Sequence, residues 1–304
     1  MQKDGKRKKY MINNDFVKKN NGNILELQNY RLADGSEVPL LHFPLLDQTG
    51  IVEHCFTTRM GGVSEDIFST MNLSFTRGDK EEAVLENYRR LGEAMGVSPQ
   101  DFVCTDQTHT TNVLRVGKED CGNGVTKPRP YTDVDGLVTN EPGVVLSTFF
   151  ADCVPLYFVD PVHRAIGMSH SGWRGTVGRM GARTLEKMQE EFGTEAKDVI
   201  AAVGPSICQE CYEVSRDVAE EFQKEFMGHE SEILIDKGKD KFLLDLWKCN
   251  EIVMLEAGIV KEHLAVTNIC TCCNPTLLFS HRASKGRRGN LGAFIFLKKG
   301  NDSE

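Results

Sequence analysis

The sequence lacks the short motifs of the commonest nucleotide-binding folds. Neither G-x-G-x-x-G nor G-x-x-x-x-G-K-[ST] occurs in its 304 residues, which removes the main support for a dinucleotide fold or a P-loop. The base-deaminase signature, H-x-E with P-C-x-x-C, is absent as well. No apolar run approaches the ~18–20 residues of a membrane span, so no membrane partner is expected. The basic start MQKDGKRKKYMINND has no apolar segment behind it, and a signal peptide is not expected. Positive charge is in deficit: 36 Lys+Arg face 44 Asp+Glu, a net charge of −8. That field repels a phosphate backbone, so nucleic acid is not expected as a partner, although a few arginines in a cleft can still hold a small anion. The 28 glycines and 10 prolines have no period, which excludes a collagen-like chain.

What remains is an ordinary globular composition, 40% hydrophobic and 26% charged, able to bury a sizeable core. Ten cysteines without an export signal fit a reducing compartment, with the cytoplasm as the expectation. There, thiols serve as ligands, nucleophiles or small core residues. Lys3, Lys6, Arg7, Lys8, Lys9, Lys18 and Lys19 mark residues 1–22 as a disordered basic tail. No linker, repeat or composition shift follows, so residues 23–304 are expected to form a single domain, monomeric or homodimeric.

The secondary-structure signals alternate between the two periods. Asp79 with Glu82 three residues on reads as a helix start, and Val84, Tyr88, Leu91 and Met95 follow at helical spacing up to Gly96. Val144–Phe150 and Val154–Asp160 are β-rich runs, and Asp160-Pro161 turns into a third strand from Ala165. Val177 to Phe192 and Asp245 to Ala257 read as helices closed by Gly193 and Gly258, and Ser215 as a further helix cap. Val199–Val203 and Phe294–Leu297 are short buried strands. Hairpins among mixed elements point to an α+β layered fold.

Chemistry-bearing residues cluster where strands end: His109 in Gln107-Thr-His109, Cys153 in Ala151-Asp-Cys153, and His170 in His170-Ser-Gly-Trp-Arg-Gly175. A hairpin can bring Cys153 and His170 to one sheet edge. A thiolate with two imidazoles suits zinc with a fourth position open, and copper accepts the same donors. A Cys153 nucleophile paired with His170 or His109 uses the same residues. Asp152, beside Cys153, is counted with the catalytic group. Arg59, Arg174 and Arg282 lie beside glycines, a setting that suits phosphate or carboxylate. Trp173 can stack on a flat ring. Asp135, in Thr132-Asp-Val-Asp-Gly136, is counted with the substrate residues, its alternative being Asx-turn chemistry. Cys208-Gln-Glu-Cys211 and Cys270-Thr-Cys-Cys273 are two C-x-x-C pairs separated by about 60 residues, beyond the ~15–20 of a compact zinc ribbon. They read as packing or loop cysteines, with a structural zinc as the alternative.

These segments, together with Thr57-Thr-Arg-Met-Gly-Gly-Val-Ser64, Asn87-Tyr-Arg89, Gly204-Pro-Ser-Ile207 and Ser280-His-Arg282, resemble the YfiH/laccase-domain family in order and kind. That family is also called multicopper polyphenol oxidoreductase, purine nucleoside phosphorylase or peptidoglycan editing factor. The resemblance covers about residues 40–297. It implies a single α/β/β/α domain with mixed sheets and a zinc site made by His109, Cys153 and His170. It also implies phosphorolysis of adenosine, inosine, guanosine and methylthioadenosine, with adenosine deamination. Purine nucleoside and phosphate would then be the small-molecule partners. A Cys–His hydrolase acting on a peptidoglycan precursor and a copper-dependent polyphenol oxidase are the alternatives. Three positions depart from the family pattern: Thr110 for the usual glycine, Ser171 for alanine, and Asn290 where an arginine is usual, with Arg287 or Arg288 as substitutes for its charge.

Overall fold

The structure, a computed structural model, describes residues 16–299. Two six-stranded sheets form its middle layers. The first runs, in spatial order, Glu26–Arg31, Glu37–His42, Val52–Thr57, Leu291–Leu297, Val145–Phe150 and Phe102–Cys104. The second runs Leu264–Val266, Ile200–Val203, Val154–Asp160, Ala165–Ser171, Gly136–Thr139 and Val113–Arg115. Both sheets mix parallel and antiparallel pairs. A small third sheet joins Glu213–Ser215, Lys241–Leu244 and Leu234–Gly238.

Burial on two faces explains the near-continuous apolar strands. Between the sheets, Phe56, Leu146 and Ile295 of the first meet Tyr157, Ile166 and Met168 of the second. On the outer face of the first sheet, Val84, Tyr88 and Leu91 of the helix Glu81–Met95 cover Leu40, Phe102 and Phe294. On the outer face of the second, Met180 and Met188 from one helix and Val253 and Met254 from another cover Leu156, Phe158 and Ala201. Each large side chain buried this way contributes roughly 1.5–3 kcal/mol. The α/β/β/α layering is therefore the fold, as the family resemblance implies.

The hairpin legible in the sequence forms with the register Val154↔Ser171, Pro155↔His170 through Asp160↔Ala165. Its turn is closed by the buried carboxylate of Asp160, which accepts the Val162 and His163 N–H groups at 2.8 and 3.0 Å and the His163 ring Nδ1–H at 2.8 Å. Burial pushes this carboxyl up, yet these donors outweigh it and hold it below its ordinary value. Because the folded pKa is the lower one, ionised Asp160 stabilises the fold above the unfolded value, and that contribution disappears as pH falls through the folded one. Asp160→Asn is expected to cost about 1–2 kcal/mol at pH 7. The deficit should shrink at pH 3, as read by urea unfolding at both pH values.

Two local expectations resolve differently. Asp79 is not the N-cap of its helix; Lys80 is, with no side-chain cap. Asp79 instead accepts from Ser64 Oγ at 2.6 Å and Asn72 Nδ2 at 2.9 Å, buried polar groups that need an acceptor more than an exposed helix end does. Residues 1–15 of the expected tail lie outside the described residues, but residues 16–22 are tied to the domain. Phe16 is buried, the Val17 N–H donates to Asn274 Oδ1 at 2.7 Å, and the Lys19 N–H donates to the Asn268 carbonyl at 2.9 Å. An apolar anchor and two asparagine-bearing loops hold what composition alone reads as loose chain.

Candidate metal centre and active-site cavity

The chain crosses from the first sheet to the second at residues 105–112, between Phe102–Cys104 and Val113–Arg115, and again at residues 151–153, between Val145–Phe150 and Val154–Asp160. The first crossover carries His109 and the second carries Cys153. His170 sits beside them on the second sheet, opposite Pro155. Ligand atoms of the three residues lie within 4.8 Å of one another. Cys153 Sγ is 4.0 Å from His109 Nε2, and the two imidazole rings meet edge-to-face with centroids 4.9 Å apart.

One buried carboxylate organises this group. Asp135 Oδ1 accepts the His109 N–H at 3.1 Å and the His170 Nδ1–H at 2.8 Å. Its Oδ2 accepts the Thr108 and Thr110 N–H groups at 3.1 and 2.8 Å and the Thr110 hydroxyl at 2.9 Å. His109 adopts φ 68°, a left-handed conformation costly for a residue with a Cβ, and the Asp135 bonds on either side hold it there. The bond from Nδ1–H to Asp135 aims Nε2 at the centre, where a metal ion would take the place of its proton, the usual outer-shell arrangement of a metal-binding histidine. Burial pushes the Cys153 thiol up, but the His170 and His109 rings overcome this and bring it down to about 6. Burial likewise disfavours charge on His170, which the Cys153 sulfur and Asp135 reverse, raising it to about 9.

The donor set fits a metal ion. Zinc at ~2.3 Å from sulfur and ~2.1 Å from nitrogen separates tetrahedral ligand atoms by about 3.6 Å, close to the spacing seen. Gly172 leaves the space: a Cβ there would lie 2.8 Å from His109 Cδ2 and 3.2 Å from Cys153 Sγ. Its φ of −72° is ordinary, so the demand is steric. Gly172→Ala is expected to weaken zinc binding by about 10–100-fold, the usual effect of disturbing ligand orientation, in a competition titration against a chromogenic chelator.

The three residues border a cavity of about 870 Å³. Phe75, Tyr131, Phe149 and Phe150 supply aromatic surface to it, and Arg77, Arg129 and Arg288 supply positive charge. Arg129 is paired with Asp106 at 2.7 Å. Arg288 is half-buried, with Nε lacking a partner among the described residues. Burial and the nearby Arg77 push its guanidinium down to about 10, so it remains a cation at neutral pH.

The expected substrate arginines are elsewhere. Arg59 donates to the Ser69 and Pro275 carbonyls and lies over Phe279. Arg282 donates to the Cys211 and Glu213 carbonyls and lies over Tyr212. Arg174 stacks on Trp173 at 4.3 Å. None of these four residues lines the cavity. Asp135 organises the His109–Cys153–His170 group instead of lining the cavity. Asp152, expected in the catalytic group, has φ 93° and spends its oxygens on Thr271 Oγ1 at 2.7 Å and the Arg282 N–H at 2.6 Å. It positions Cys153 and does not face the cavity. Sequence reasoning missed Arg77 and Arg129, which carry no motif. Arg288 was reachable as a substitute for the charge absent at Asn290, which itself lines the cavity.

The other departures have local partners. Thr110 adds its hydroxyl bond to Asp135, and Ser171 donates to Asn250 Oδ1 at 2.9 Å.

The family described as multi-copper polyphenol oxidoreductase laccase matches residues 53–298. The chain belongs to this family. Among the laccase-family relatives, the purine nucleoside phosphorylase YlmD of Bacillus subtilis is 33% identical over 246 residues, 80% of this chain and 88% of its own. The purine nucleoside phosphorylase of Deinococcus radiodurans is 37% identical over 262 residues, 86% of this chain and 94% of its own. The crystal structure of Bacillus licheniformis hypothetical protein YfiH superposes with a TM-score of 0.82 at 31% identity, covering 88% of this chain and 99% of that one. YlmD from Geobacillus stearothermophilus gives 0.80 at 32%, covering 89% and 100%. No helix among the described residues is long and apolar enough to cross a membrane.

Proposed function

We propose that this laccase-family chain is a purine nucleoside phosphorylase acting on adenosine, inosine, guanosine and methylthioadenosine, with adenosine deamination at the same site, and that His109, Cys153 and His170 hold zinc. The observation that carries the reading is a thiolate–imidazole group of three residues on the wall of a cavity that also holds aromatic rings and a half-buried arginine. The names of relatives more than 30% identical support it.

In phosphorolysis a phosphate oxygen bonds to the ribose C1′ as the C1′–N9 bond breaks, and the purine leaves with the electron pair and takes a proton. Arg288 and Arg77 bind the phosphate and offset its charge as it approaches C1′. Phe75, Tyr131, Phe149 and Phe150 offer faces and edges for the base and ribose and exclude water around them. His109, Cys153 and His170 would hold the zinc ion, which would supply Lewis acidity at this wall of the cavity. Asp135 holds Nδ1 of His170, so the orientation of that ring is fixed before substrate arrives.

The test is to incubate zinc-loaded protein with adenosine, with and without phosphate. Adenine and ribose 1-phosphate appearing only with phosphate, together with inosine in both, support the reading; absence of all three products sinks it.

One observation favours a second reading. Cys153, His170 and Asp135 in series also describe a nucleophile, its base and the group that orients the base. Activity that resists chelators and is abolished by thiol alkylation would select a Cys–His hydrolase.

A further inference from the structure

We propose that Cys208, Cys211, Cys270 and Cys273 form a second, purely structural metal site, taking one zinc ion as a tetrathiolate and bracing the chain segment that presents Cys153.

The sequence gap between the two C-x-x-C pairs does not matter, because the fold cancels it. Strands Ile200–Val203 and Leu264–Val266 are parallel neighbours in register, Ala201↔Leu264 to Val203↔Val266. They therefore leave the sheet side by side at the same end. Their continuations stay tied, through the Thr267 N–H on the Val203 carbonyl and the Thr271 N–H on the Ser206 carbonyl, both at 3.0 Å. One pair then follows Val203 by five residues and the other follows Val266 by four, so both knuckles arrive together. The 62-residue separation is taken up by the small sheet and three helices, which pack in one apolar cluster with the knuckles.

All four sulfurs lie within 4.8 Å of one another, with Cys211 and Cys273 Sγ 3.6 Å apart. Four sulfurs at ~2.3 Å around one zinc are about 3.8 Å apart, so the set is nearly at coordinating distance. All four are free thiols. Backbone N–H groups already point at sulfur: those of Cys208 and Cys273 reach Cys270 Sγ at 3.3 and 3.4 Å. A neutral thiol is a poor acceptor, whereas a metal-bound thiolate uses such donors well. Four thiolates around Zn²⁺ carry a net charge of −2, and a cation stands beside them: the Lys19 ammonium contacts the Cys208 thiol and pairs with Glu210 at 3.2 Å. Cys272 lies outside the group of four. Four protein ligands leave no open position, which is the pattern of a structural site.

The knuckles also hold the active-site crossover. The Ile207 N–H donates to the Asp152 carbonyl at 3.0 Å, and Thr271 Oγ1 donates to Asp152 Oδ1 at 2.7 Å. Arg282 links the same region, its N–H on Asp152 and its guanidinium on the Cys211 carbonyl at 3.0 Å. Asp152 is the residue before Cys153.

The test uses full-length protein purified natively under reducing conditions, with metal measured by plasma mass spectrometry on the wild type, Cys211→Ser/Cys273→Ser and His109→Ala/His170→Ala. Two zinc ions per chain are expected in the wild type, and one in each double variant. One ion per chain, lost in the cysteine variant and kept in the histidine variant, also supports the tetrathiolate site while rejecting the other. Metal content unchanged by the cysteine substitutions overturns the proposal. If the cysteine variant is insoluble, alkylation mapping on the wild type decides. Protection of all four thiols that is lost on chelation is expected; labelling indifferent to the chelator, or disulfides among the four, overturns it. Iron in place of zinc would leave the site standing and correct the ion, visible as colour.

Discussion

Alanine at His170 is expected to lower kcat/KM for adenosine phosphorolysis about a thousandfold, the equivalent of losing some 4 kcal/mol of transition-state stabilisation. The imidazole is buried, its Nδ1–H is committed to Asp135, and its remaining nitrogen faces Cys153 and His109. Removing it leaves two ligands of three and strands the buried Asp135 carboxylate without its ring partner. Steady-state kinetics should be read alongside metal content, because the two must fall together. His229→Ala is the control; that ring sits in an exposed pair with Glu232 and should leave both unchanged. Full kcat/KM in His170→Ala would end the metal-centred reading of the site.

Leucine at Arg288 is expected to raise the KM for phosphate about 30-fold, since a hydrogen bond to a charged group is worth roughly 1.5–3 kcal/mol. The melting temperature should stay level or rise. Arg288 is a cation whose Nε has no partner among the described residues, whose Nη1 donates to the Gly289 carbonyl and to Asn290 Oδ1, and which has Arg77 close enough to depress its affinity for a proton. A half-buried cation held beside a second cation costs stability, and its removal should relieve that repulsion. A paired structural arginine would behave oppositely, losing stability with substrate affinity untouched. Phosphate-dependence curves and thermal melts on the same preparation separate the two.

Much of the fold is written in local periodicity. The hairpin from Val154 to Ser171 follows from two β-rich runs and an Asp-Pro turn, and so does the meeting of Cys153 with His170. His109 is drawn in by Asp135, a contact 26 residues away that no spacing rule foresees. The expected substrate arginines lie away from this cavity for a related reason. Glycine beside arginine marks flexible backbone, but Arg59 and Arg282 spend their donors on carbonyls of loops distant in sequence. Arg77 and Arg288 earn their place from the cavity alone. Asp79 looked like a cap because capping is local, whereas the demand it meets comes from Ser64 and Asn72. The four clustered cysteines show the limit most clearly, since only parallel strand pairing brings residues 62 apart to the same height.

Because His109 and Cys153 ride on two of the passages between layers while His170 belongs to one of the layers, the layers cannot shear past each other without parting these side chains. An ion seated there acts as a rivet through the sandwich. Native protein should therefore melt at a temperature that climbs with the logarithm of free metal, a dependence set by mass action and independent of any catalytic turnover.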